Sequence, residues 1–237
     1  MLDGLKRWRA IAQGAWDYYW HPDLRDPWGG PFNNQSARKS LFLSLVERFR
    51  PRAIVETGAY RGSTTEFFAQ TGLPVFSAEL DLHAYGFSLM RLRHRGDVKI
   101  MNGDSRAVLR ELLDDTMWAD RGSVTFFYLD AHWGEDLPLA EEIDIIFSRC
   151  PDALVMVDDF AVPDDDGYGY DDYGAGKALD AEYIAPALQA HALSAFYPST
   201  PSSEESGALR GCVVLAKAAE HGAKLSSLPL LRAAVKL

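Results

Sequence analysis

Five short apolar runs, each closing on a glycine or an acidic residue and each followed by residues at helical spacing, constrain the fold of this chain more than any other feature. The first, 53–56, runs through Glu56-Thr57-Gly58-Ala59-Tyr60-Arg61-Gly62 into a helix that opens at Ser63-Thr64-Thr65. The second, 75–78, ends in Glu79; the third, 98–101, ends in Asn102-Gly103-Asp104-Ser105. The fourth, 124–129, ends in Asp130, and the fifth, 153–157, in Asp158-Asp159. Strands that alternate with helices in this way specify an α/β fold, a parallel sheet covered by helices on both faces. Leu41, Leu45, Val46 and Phe49 predict a further helix ahead of the first strand, ended by Pro51. A helix over 181–191 and late strands near 193–197 and 211–216 bring the sheet to seven strands.

A chain of 237 residues with 47% hydrophobic content supports one large core rather than two separate domains. The reading divides it into an N-terminal helical and aromatic arm with the first helix, 1–50, and a cofactor-binding domain, 51–237, with a lid loop over about 161–178. A formal net charge of -10, with no run of Lys and Arg, argues against nucleic acid as a partner. Cys150 and Cys212 stand alone, without the spacing of a disulfide framework or a thiolate zinc site. Residues 1–20 lack the continuous apolar stretch of a signal peptide, and no later run is long enough for a membrane span. The expectation is therefore a soluble cytoplasmic protein with no membrane partner, whose aromatic arm is available to a second subunit in a homo-oligomer.

In an open α/β sheet, ligands lie outside the carboxyl ends of the strands where strand order reverses. Gly58 and Gly62 permit a sharp turn there, and Ser63, Thr64 and Thr65 add hydroxyls suited to a carboxylate. Glu79 lies 21 residues beyond Gly58, where a carboxylate accepts both hydrogen bonds of a ribose diol. Asp104 is placed to accept from an adenine amine, with Ser105 at the ring edge. A dinucleotide site wants a glycine where this chain has Tyr60, which disfavours a pyrophosphate and favours a smaller cationic donor such as S-adenosylmethionine. Asp130, Asp158 and Asp159 at neighbouring strand ends repel one another unless a cation sits among them, and an all-oxygen set suits Mg²⁺, with Mn²⁺ or Ca²⁺ as substitutes. The alternative is a helix cap at Asp159 and an ion pair at Asp130.

The motifs from Glu56 to Thr64, the Glu79-Leu80-Asp81 step, Gly103-Asp104-Ser105, Leu129-Asp130-Ala131-His132-Trp133 and Val157-Asp158-Asp159 resemble, in order and spacing, the metal-dependent class I O-methyltransferases. Similar proteins are catechol O-methyltransferase and the macrocin- and aminocoumarin-type sugar O-methyltransferases; the resemblance covers about residues 50–165. It implies a Rossmann-like class I methyltransferase fold, a mostly parallel seven-stranded sheet with an antiparallel last strand. It also implies that the turn Glu56, Thr57, Gly58, Ala59, Tyr60, Gly62, Ser63 and Thr64 surrounds the methionine part of S-adenosylmethionine. Glu79 would hold the ribose, Asp104 and Ser105 the adenine, and Asp130, Asp158 and Asp159 the metal. The catechol enzymes continue with a lysine base, whereas this chain inserts Ala131 and continues to Gly134-Glu135.

The expected reaction is Mg²⁺-assisted O-methylation of a small molecule or sugar. His132 is the candidate general base beside Asp130, because an imidazole titrates near neutrality; orienting Asp130 is its other reading. Tyr168, Tyr170, Tyr173 and Lys177 are expected in the lid over the acceptor, and Gln35 and Arg38 within reach of the donor carboxylate or in a helix-start ion pair. Two rival classes are a metal-dependent phosphatase or hydrolase, which lacks its Asp-x-Asp after the first strand, and a non-catalytic nucleoside-binding module.

Overall fold

A computed structural model describes residues 2–120, 122–132 and 136–233. The strands are β1 Ile54–Thr57, β2 Val75–Glu79, β3 Val98–Asn102, β4 Thr125–Leu129, β5 Ala153–Asp158, β6 Leu193–Pro198, β7 Cys212–Lys217 and β8 Leu231–Ala233. They form one sheet in the order β3-β2-β1-β4-β5-β7-β6-β8. The first five run parallel, while β7 is antiparallel to both β5 and β6. The sheet thus has eight strands, one more than expected. The extra one is β8, three residues antiparallel on the edge of β6, too short to show a period of its own.

The sheet is apolar on both faces because successive side chains alternate between two cores. Val55, Phe127, Leu129, Val155 and Val157 join Leu109, Ile143 and Ile146 on one face. Ile54, Phe126, Tyr128, Leu154 and Met156 join Phe42, Leu45 and Phe68 on the other. The first core is covered by α5 (Ser105–Leu113), α6 (Leu139–Arg149) and α7 (Ala181–His191), the second by α2 (Ser36–Phe49), α3 (Ser63–Ala69) and α8 (Ala218–Ser226). The proline-rich arm before α2 is a series of short 3-10 turns, and its Phe32 is buried against Phe42, Phe67, Phe68 and Tyr128.

The N-terminal helix, α1 (Leu2–Trp20), lies along α4 (Leu82–Arg91). Two glycines permit the contact. A Cβ on Gly14 would meet the His83 carbonyl oxygen at 1.9 Å, and one on Gly86 would meet the Ile11 carbonyl oxygen at 2.1 Å. Asp17 adds a side-chain hydrogen bond with His83 at 2.7 Å. Gly86→Val is therefore expected to push α1 off α4 at a cost of about 1–3 kcal/mol, the range for overpacking a tight contact. A thermal melt followed by circular dichroism checks this, and an unchanged melting temperature would mean that the helix crossing adds little stability.

Candidate functional site

Strand order reverses at β1, which has β2 on one side and β4 on the other. A cavity of about 660 Å³ opens there, beyond the carboxyl ends of the strands. Gly58 and Tyr60 from the turn after β1, Glu79 at the end of β2, and Asp104 and Ser105 after β3 all line it. Leu80, Asp81, Arg106, Asp136 and Ala10 of α1 complete much of the wall. Of these, Arg106, Asp136 and Ala10 were not singled out in the sequence, and Ala10 and Asp136 arrive from elements remote from the strand-end motifs.

The turn after β1 has the backbone its glycines predict. Gly58 has φ +84° and Gly62 φ +73°, and Tyr60 between them is also left-handed at +47°. A Cβ on Gly58 would lie 2.2 Å from the Asp130 carbonyl oxygen, so this position brings the turns after β1 and β4 together. Glu79 fastens the same turn: one carboxylate oxygen accepts from the Tyr60 N–H at 2.6 Å and the other from the Asp81 N–H at 2.7 Å. Each oxygen retains acceptor capacity after that bond. Burial pushes the Glu79 carboxyl up to about 7 against the pull of these hydrogen bonds.

Asp104 caps α5 and lies under a guanidinium. Arg106 donates to it from Nε at 3.0 Å and from Nη2 at 2.6 Å, and also grips Asp136 across the cavity rim. The Arg106 bonds, ahead of the opposing burial, hold Asp104 below the usual carboxylate range. Behind Ser105 lies buried Glu142 of α6, which burial pushes up to about 7 and whose neighbours are Ser105 and Thr57.

The remaining residues of the expected methionine end do not line the cavity. Glu56 is buried and accepts from Thr65 and Ser77, each at 2.5 Å, joining β1 to α3 and β2. Burial, the largest influence, lifts it to about 7. The Thr64 hydroxyl accepts the Phe32 N–H at 3.3 Å, so it holds the N-terminal arm. Thr57 and Ala59 are buried within the turn, and Gly62 and Ser63 stand at the opening of α3. Gln35 and Arg38 also turn elsewhere: the Gln35 amide clasps the backbone of Arg210 at 2.9 and 3.0 Å.

Beyond β4 and β5 two of the three strand-end carboxylates meet arginines. Asp158 is ion-paired to buried Arg38 and accepts from the Tyr128 hydroxyl at 2.5 Å. Asp159, at φ +51°, pairs with Arg210 at 2.6 Å, and Arg210 also pairs with Asp171. Burial opposes ionisation of Asp158, but the Arg38 charge and the two hydrogen bonds prevail and hold it low. Asp130 makes no ion pair among the described residues; burial and then the Asp158 and Asp159 charges drive it well above the usual range. Asp159 is pushed up to about 7 by burial and then by Asp158.

This arrangement does not fit the expected dication. The positive charge that a metal would bring among the aspartates is supplied by two guanidiniums, and Asp158 has both oxygens engaged. Among the described residues no group of three His, Cys, Asp or Glu side chains is arranged to hold a metal ion. The pairs were hidden in the sequence because Arg38 lies 120 residues from Asp158 and Arg210 lies 51 from Asp159.

His132 is buried, with Nε2 3.2 Å from the Asp158 carbonyl oxygen and Nδ1 lacking a hydrogen-bond partner among the described residues. Burial pushes its pKa down. The Tyr173 hydroxyl reaches the His132 carbonyl and lies 2.6 Å from Asp171, closing that side. Trp133, Gly134 and Glu135 lie outside the described residues. The expected lid is a fastened loop: Asp171 N–H donates to the Asp159 carbonyl at 2.9 Å, Gly169 N–H to Leu209 at 2.8 Å, and Ser202 N–H to Asp165 at 2.8 Å. Tyr168 is core, its hydroxyl bonded to the Thr200 carbonyl at 2.9 Å, whereas Tyr170 and Lys177 are exposed. No described helix is long and apolar enough to cross a membrane.

No protein-family model and no curated protein sequence matches the chain. Solved structures do match. The methyltransferase domain of the bacterial CtHen1-CN is similar over 76% of this chain and 97% of its own length, with 10% identity and a TM-score of 0.50. An O-methyltransferase from Bacillus cereus, solved in complex with SAH, is similar over 77% of this chain and 81% of its own, with 13% identity and a TM-score of 0.50. The chain has the Rossmann-like methyltransferase fold, with a mostly parallel sheet and antiparallel strands at its carboxyl-terminal side.

Proposed function

We propose that the chain is an S-adenosylmethionine-dependent methyltransferase that transfers the methyl group to a hydroxyl of a small molecule or sugar. The observation that carries this reading is Glu79, aimed into the strand-tip cavity with each oxygen anchored by one backbone N–H and still able to accept from a ribose hydroxyl. Support comes from the cavity volume, which suits a nucleoside-sized ligand, and from Tyr60, a bulky residue at the position where a dinucleotide turn wants glycine. The Bacillus cereus structure holds SAH on the same fold.

In this reading the acceptor oxygen attacks the donor methyl carbon, the carbon–sulfur bond breaks with its electron pair remaining on sulfur, and the acceptor proton passes to a base. Alignment is the larger part of such a displacement. Asp130 is the assigned base: its backbone carbonyl adjoins the donor turn at Gly58, and its carboxyl makes no ion pair among the described residues. His132, with Nε2 on the Asp158 carbonyl oxygen, is a positioning group of the same cluster. No step runs through a dication, because Arg38 and Arg210 already pair with Asp158 and Asp159, two of the three aspartates that would bind one.

Calorimetry tests the reading directly. S-adenosylhomocysteine is expected to bind and NAD to give no heat, with identical isotherms in buffer containing Mg²⁺ or an excess of chelator. Binding of NAD alone, or of neither ligand, would refute the donor assignment, and an isotherm that requires Mg²⁺ would refute the metal-free arrangement.

A further inference from the structure

Helix α1 has two faces of opposite character. Ile11, Gly14, Asp17 and Tyr18 point to α4, where Tyr18 meets Phe87 edge-on at 5.4 Å. At 100° per residue, Leu5, Trp8, Ala12, Trp16, Tyr19 and Trp20 fall within about 60° of one line on the other side. Those residues are exposed: Trp8 is 73% accessible, Trp16 57% and Trp20 64%, with Leu5 and Tyr19 near half. Trp16 and Trp20 stack on each other at 5.2 Å, which makes them a ready apolar plate.

We infer that this face is the interface between two copies of the chain, joined α1 to α1 in an antiparallel, two-fold arrangement. Area is the first argument. The stripe exposes about 600 Å² of side chain, taking up to roughly 250 Å² for a whole aromatic residue. That is the top of the range for the largest apolar patch on a monomer and most of the approximately 800 Å² that each partner contributes to a stable interface. Shape is the second: Ala12, exposed and small, stands midway along the stripe, where two crossing helices come closest.

Charge selects the occupant and its direction. Lys6 and Arg9 are exposed in the first half of α1, whereas Asp23 and Asp26 are exposed just past its end, where the helix carbonyls add negative partial charge. Antiparallel pairing sets each basic end over the other copy's acidic end and brings Arg9 near an indole face, a favourable cation–π placement. Parallel pairing sets like on like. An anionic lipid surface would meet the same aspartates and a chain of net charge -10, so charge favours a second copy over a membrane.

The test uses the full chain and requires no enzymatic activity. Light scattering at micromolar concentration is expected to give twice the chain mass, and Trp16→Glu with Trp20→Glu to halve it without lowering the melting temperature. Ala12→Cys is expected to form a disulfide-linked dimer on oxidation with little background, because Cys150 and Cys212 are buried. A wild-type monomer would overturn the proposal, and a monomer that co-sediments with phosphatidylserine vesicles through these tryptophans would reassign the face to membrane. A dimer that persists in the double variant and fails to cross-link at position 12 would place the interface elsewhere.

Discussion

Glu79→Ala is expected to weaken S-adenosylhomocysteine binding by about 100-fold or more. Two hydrogen bonds to a charged acceptor are worth roughly 1.5–3 kcal/mol each, and 1.4 kcal/mol is a factor of ten in affinity. The same substitution frees the Tyr60 and Asp81 N–H groups that the carboxylate anchors, so the turn after β1 also loosens. Glu79→Gln separates the two effects, because an amide retains one acceptor oxygen and the side-chain shape. Its affinity should fall between wild type and alanine. The wild type carries a pH signature as well. With Glu79 pushed up to about 7 by burial, its carboxylate form, which accepts from the diol, grows in as pH rises from 6 to 8, and donor affinity should rise with it. The stability of the free protein moves the other way. A carboxyl raised on folding stabilises the fold below its unfolded value and loses that contribution as pH rises through the folded one. Calorimetry across that pH range reads the first trend; a flat profile in the wild type, or a rising one in Glu79→Gln, would remove Glu79 from ribose recognition.

What could be read from the sequence follows how far each determinant reaches along the chain. Gly58, Tyr60, Glu79, Asp104 and Ser105 sit in strand-to-helix turns, where a few adjacent residues dictate the backbone, and they reach one cavity. Strand and helix positions were legible for the same reason, since apolar runs and helical spacing are local. The acidic cluster was not. Three aspartates at strand ends have the same sequence appearance whether a metal or a guanidinium answers them, and Arg38 and Arg210 lie 120 and 51 residues away along the chain from Asp158 and Asp159. The donor turn shows the limit of a motif: Glu56 and Thr64 occupy the expected places in order, yet they bind Thr65, Ser77 and Phe32. Tyr168 reads as a lid residue from the loop's aromatic composition and its place after the fifth strand, and its burial follows from a pairing with the 200s segment that no local pattern announces.

Arg38 is the position where the fold itself is most exposed to a single change. Arg38→Met keeps much of the side-chain volume but leaves Asp158 buried without its cation, and removing one partner of a buried pair costs about 3–5 kcal/mol. Both partners are sealed from solvent, with 1% and 2% side-chain exposure, so screening offers no relief. The penalty should depend on pH in a defined direction. In the wild type the Asp158 pKa is held low, so its stabilising contribution is present above the unfolded value and is lost only as pH falls through the folded one. In the variant, burial is opposed by the Tyr128 hydrogen bond without the Arg38 charge and raises that pKa, so the gap in melting temperature between the two proteins should be wide at pH 7 and should narrow towards pH 4. A second measurement addresses charge replacement. With one guanidinium gone, Asp130, Asp158 and Asp159 share only Arg210, and added Mg²⁺ is expected to raise the melting temperature of the variant but leave the wild type unmoved. A wild type stabilised by Mg²⁺, or a variant that melts with the wild type at neutral pH, would show that Arg38 is not the cation on which this cluster depends.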